Sequence, residues 1–75
     1  MGLFGKSEYE KYKPIYNMWL HARKSAVNRG LSTAQADEFA MEEPMDFYGI
    51  TRSKMREIIS IGHREDWGAD RLKNV

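Results

Sequence analysis

Apolar residues recur along the chain at helical spacing, in three blocks separated by glycine and proline. In the first block Ile15, Met18, Trp19, Ala22 and Ala26 follow the i, i+3, i+4 rule and line one stripe. Tyr12, Tyr16, Leu20 and Val27 line a second stripe beside it. Together the two cover roughly 200° of the helical wheel, with Asn17, His21, Lys24, Ser25 and Asn28 on the wet face. An arc that wide suits a helix packed on two sides, the spine of a small bundle. Pro14 fits a first helical position, because its φ is already set and its missing N–H is not needed there. It also disfavours helical dihedrals at Lys13. The first helix is therefore expected over 14–29 with Gly30 as its stop. A separate turn over 7–12 would be opened by the Ser7–Glu10 capping-box spacing.

In the second block Ser32 and Gln35 form an S-x-x-Q capping box, with Leu31 placed to staple onto Ala36. Ala36, Phe39 and Ala40 make a short apolar stripe, and the expected helix covers 33–43 until Pro44 ends or kinks it. Residues 44–48 form a short piece of one or two turns, with Pro44 at its first helical position. After Gly49, Thr51 is a sound N-cap, with Ile50 placed to staple onto Met55. Met55, Ile58, Ile59 and Ile61 share one face, and Arg52, Ser53, Arg56, Glu57 and Ser60 the other. That helix is expected over 52–61, stopped by Gly62. Residues 63–75 are a tail that docks through Trp67 and Leu72, and Leu3 and Phe4 fold back from the other end. Val, Ile and Thr number nine and no stretch alternates at period two, which argues against a sheet. The expectation is one all-α domain over 1–75, a small helical bundle of three main helices with short terminal turns.

Composition narrows the classes. Cysteine is absent, so neither disulfides nor thiolate zinc sites stabilise a core that supplies only ~3–5 kcal/mol at this size. A hydrophobic fraction of 41% beside 31% charged residues is that of a globular chain and not a disordered one. No apolar run approaches the length of a membrane span, and no secretory pattern opens the chain. The start resembles a myristoylation signal, but Lys6 stands where Ser or Thr is needed. A cytoplasmic location is expected. The net charge of +1 hides a segregation: residues 1–30 carry +4, residues 31–50 carry −5 and residues 51–75 carry +2. Either the basic first segment lies beside the acidic second one, or basic surface at both ends meets phosphates or an acidic partner.

Candidate chemistry is sparse. His21, His63 and Asp66 lack the ligand spacing of a metal site, and Ser, His and carboxylates show no nucleophile–base order. There is no Gly-rich phosphate loop. The chain is expected to be no enzyme, with no catalytic residue, metal or cofactor. Residues 47–59 carry the sharpest signal. Tyr48, Gly49, Ile50, Thr51, Met55 and Ile58 match the apolar–Gly–apolar–cap pattern with buried positions five and eight after the second apolar residue. This resembles the turn and recognition helix of helix-turn-helix proteins, where Gly takes a left-handed turn and the flanking apolar groups fix the interhelical angle. The resemblance implies double-stranded DNA as partner of segment 44–61. Arg52 and Arg56 would pair with guanine or phosphate, Thr51 and Ser53 would face outward, and Lys54 and the basic first segment would support from phosphates. Against it, Met45 stands where a small residue is usual, Pro44 falls inside the first helix, and Asp37, Glu38, Glu42, Glu43 and Asp46 crowd the stretch that would lie near the phosphates. The competing expectation is a protein-interaction module, self-associating or docked on a larger protein. It would use Tyr16, Leu20, Arg23 and Val27 on the apolar face of helix 14–29.

Overall fold

Four helices make up residues 5–67, the part of the chain that this computed structural model describes: α1 (Gly5–Asn28), α2 (Thr33–Ala40), α3 (Glu42–Tyr48) and α4 (Arg52–Arg64). The fold is a small all-α one, as the periodicity requires. α1 is the spine and packs against each of the other three. The backbones of α2 and α4 stay apart, and the Glu38 side chain bridges them to Arg52 and Arg56.

The proline positions explain most of the boundary differences. α1 does not begin at Pro14 but runs through it from Gly5, so Ser7 and Lys13 are helical and the separate turn over 7–12 does not form. An interior proline removes one i→i−4 bond, here the one to Glu10, and is locally unfavourable. A tertiary contact on the far side of Pro14 offsets this. The half-buried Tyr12 accepts a hydrogen bond from Lys54 Nζ at 3.2 Å, and the ammonium lies 5.3 Å from the ring centroid, which fixes the turns before Pro14 against α4.

α1 ends as expected at Gly30, which takes φ 105°. Gly30 N–H donates to the Val27 carbonyl at 3.0 Å and Leu31 N–H to the Ala26 carbonyl at 3.1 Å, the paired bonds of a Schellman turn. The Ser32–Gln35 box forms in both directions. α2 then ends at Ala40, three residues earlier than expected. Pro44 is the cause, because it has no N–H for the Ala40 carbonyl four residues back and its ring would clash with it. Met41 alone joins the two helices, its side chain fully buried. α3 begins at Glu42, so Pro44 sits third in its first turn, where no intrahelical N–H is used.

α4 also departs from expectation at its end. Gly62 is not a stop; the helix continues to Arg64 with Glu65 as C-cap. Gly62 is buried because α4 meets α1 there: a Cβ built on it would lie 2.3 Å from Cε1 of the Tyr16 ring. Beyond it Asp66 adopts a left-handed φ of 58°, and Trp67 packs edge-on against Tyr16 with ring centroids 5.6 Å apart. Trp67 thus docks as expected, while Leu3, Phe4 and Leu72 lie outside the described residues. The core joins Ile15, Tyr16 and Trp19 to Ala40, Met41, Met55, Ile58, Ile61 and Trp67. Ile59 is part-buried at its edge, and Phe39, expected in the α2 stripe, is instead 50% exposed.

Gly62→Ala separates close approach from helix termination. Alanine should favour an interior helical position by up to ~1 kcal/mol, whereas overpacking a filled core costs ~1–3 kcal/mol. Denaturant unfolding should show a net loss of stability for Gly62→Ala; an unchanged or raised midpoint would contradict the Tyr16 contact.

Candidate nucleic-acid interface

The left-handed residue closing α3 positions everything that follows. Gly49 has φ 64° and ψ 41°, and its N–H and that of Ile50 both reach the Met45 carbonyl. Ile50 is thereby turned toward the core, where it is part-buried beside Met45. Thr51 is extended, and its Oγ1 accepts from the Lys54 N–H at 3.1 Å, starting α4. Met55 and Ile58 are fully buried. A seven-residue helix, a three-residue turn over 49–51 and a capped second helix therefore stand in the helix-turn-helix order. Pro44, the sequence's objection to a first helix, is buried within that helix's opening turn. Met45, at the position where a small residue is usual, is part-buried against the core.

The turn leaves Thr51, Ser53, Arg56, Glu57 and Ser60 exposed, with Arg52 and Lys54 half-buried. Arg52, Ser53 and Arg56 are thus presented on one side of α4, but the guanidinium groups are engaged. Arg52 Nη1 lies 3.1 Å from Glu38 Oε1 and Nη2 lies 2.7 Å from Glu42 Oε2. Arg56 Nη2 lies 3.2 Å from Glu38 Oε2. Lys54 Nζ donates to the Tyr12 hydroxyl and, at 3.3 Å, to Glu57. The Tyr12 hydrogen bond, followed by the Glu57 contact, holds the Lys54 pKa above the ordinary lysine value. The same bond brings the α1 turn bearing exposed Lys11 and Lys13 beside the start of α4.

The residues expected for a partner surface on α1 are dispersed. Tyr16 is 2% exposed and part of the core, and Leu20 is part-buried against it. Arg23 pairs with the Asp37 carboxylate and lies 5.8 Å from the Trp19 ring centroid, so its carboxylate comes from the same chain. Val27 is exposed. The charge segregation is resolved internally in part: Arg23–Asp37 joins the first segment to the second, and Arg52 and Arg56 join the third to it.

Sequence reasoning missed Glu38 as the carboxylate shared by two arginines, because the 14- and 18-residue separations carry no local signal. It also missed the exposure of Phe47, which is 72% accessible with its ring edge-on to Tyr48 at 5.0 Å. Among the described residues no group of three or more potential ligands gathers for a metal, and no helix is long and apolar enough to cross a membrane. His63 packs edge-on to Tyr16 and Trp19, each at 6.0 Å. Arg29, Leu31, Ala34, Glu38 and Phe39 bound a shallow, open depression. No protein-family model, curated protein or solved structure matches the chain, so the helix-turn-helix likeness stands on this local geometry alone.

Burial raises the Tyr16 hydroxyl above the usual tyrosine value, an effect opposed by Arg23 and aided by Asp66. Below a pH of about 10 the side chain is neutral both folded and unfolded, and its contribution is complete. Above that the unfolded chain loses the proton first, so stability falls as pH rises. Denaturant midpoints measured from pH 9 to 11 should decline less steeply in Tyr16→Phe than in the wild type; parallel declines would contradict the assignment.

Proposed function

We propose that this protein is a small non-enzymatic regulator that binds double-stranded DNA through α3, the 49–51 turn and α4. On this reading α4 enters a groove with Arg52 and Arg56 making the main contacts and Thr51 and Ser53 beside them. Lys54 and the α1 turn bearing Lys11 and Lys13 approach the phosphates, and the protein acts in the cytoplasm. The observation that carries the reading is the left-handed Gly49 between a short helix and a Thr51-capped one, with Met55 and Ile58 buried and Ser53 and Arg56 facing out. The carboxylates around Arg52 and Arg56 oppose it electrostatically. Their pairs are solvent-exposed, however, and such pairs contribute only ~0–1 kcal/mol each, so phosphate can replace them.

Fluorescence titration with mixed-sequence duplex at about 50 mM and 200 mM salt tests this. Binding should weaken with salt, and Arg56→Ala should reduce affinity by roughly tenfold and lower the salt slope by about 1. No binding at the lower salt, or binding indifferent to both salt and Arg56→Ala, would overturn it.

One observation favours a second reading, a protein-interaction module: the large exposure of Phe47, next to Tyr48 on α3. Its surface differs from the α1 face expected from sequence. Sedimentation across concentration decides whether a second copy covers it. Association abolished by Phe47→Ser supports self-docking, and a monomer at every concentration excludes it.

A further inference from the structure

Glu38 holds its two carboxylate oxygens against two different arginines of α4, Oε1 on Arg52 and Oε2 on Arg56, which stand one helical turn apart. A phosphate can bridge the same two side chains through two of its oxygens, since a guanidinium group pairs with carboxylate and phosphate alike. Glu42 adds a second carboxylate to Arg52 alone. Glu43, one residue on, is exposed and in no ion pair among the described residues. The contact therefore belongs to Glu38 by position and is not a general consequence of the acidic segment.

We propose that Arg52 and Arg56 form one oxyanion site and that Glu38 is its internal occupant, an autoinhibitory contact that a nucleic-acid phosphate displaces. The proposal rests on the DNA-binding reading for the source of that phosphate. It gives the acidic segment a role in the same site: a ligand that offers a single oxygen, or a lone passing charge, does not displace a carboxylate already shared by two arginines. A ligand that spans both guanidinium groups does. The occupant is held by exposed pairs on a separate helix, so it raises the threshold for binding without closing the site.

The test compares wild type with Glu38→Gln, which keeps the shape and removes the charge, and with Glu43→Gln, which removes a nearby charge that touches neither arginine. In the duplex titration at low salt, Glu38→Gln should bind about three- to tenfold tighter with a steeper salt slope, while Glu43→Gln stays within about twofold of wild type. Adding Arg56→Ala to Glu38→Gln should remove the gain. Equal tightening by both glutamine variants, or none by Glu38→Gln when the wild type binds, overturns the proposal. A second arm is independent of DNA: inorganic phosphate is titrated while the Arg52 and Arg56 Nε–H signals are followed by NMR. Saturable shifts in Glu38→Gln at phosphate concentrations that leave the wild type unmoved support the internal occupant, and no shift in either overturns it. If neither protein binds duplex yet the phosphate arm succeeds, the DNA reading fails and the oxyanion site stands.

Discussion

The contact between the Tyr16 ring and the bare backbone of Gly62 is the constraint on which the rest of the molecule depends. It brings α4 onto α1 closely enough for Met55, Ile58 and Ile61 to share one core with Ile15, Trp19 and Met41. Trp67 packs edge-on against the same ring, and the Trp19 indole N–H ties that core to α2 through the Asp37 carbonyl at 3.0 Å. A chain of 75 residues has no reserve of buried area to replace these contacts. The wide apolar arc of α1, which by itself invites a second chain, is largely taken up inside this one domain.

That allocation decides what remains for binding. With Tyr16 and Trp19 inside and Arg23 engaged with Asp37, α1 retains no broad apolar face over residues 10–28, where side-chain burial is described. The exposed chemistry lies on α4, whose arginines are set out by the Gly49 turn and held by Glu38 and Glu42, and on Phe47 at the end of α3. The acidic second segment thus neutralises the third more than the first. It explains why the chain is nearly neutral while carrying two cationic side chains aligned one turn apart.

Much of this was legible. Helix periodicity, the Ser32–Gln35 box, the Gly30 stop, the Thr51 cap and the burial of Met55 and Ile58 are local patterns, and each appears in the fold. The misses are tertiary. Pro14 signals a helix start unless a contact upstream holds the preceding turns, and Tyr12–Lys54 is such a contact across 42 residues. Gly62 signals a stop unless another ring needs the space of its missing side chain. Pro44 acts four residues upstream, on the Ala40 carbonyl, so the boundary falls at Ala40 and not beside the proline. In the candidate site, the outward positions of Arg56 and Ser53 followed from the cap and the spacing. The carboxylate shared between Arg52 and Arg56 did not, because it arrives from a helix that shares no sequence register with α4.

One internal core uses the α1 arc and leaves α4 as the surface proposed to bind DNA. Amide and indole chemical-shift mapping during titration with duplex DNA at low salt tests it most directly. The account predicts perturbations centred on residues 51–57 and on the α1 turn around Lys11 and Lys13, with the Trp19 and Trp67 indole signals unmoved. Perturbations centred instead on Phe39 and Phe47, or a spectrum that does not respond to DNA at all, would contradict it.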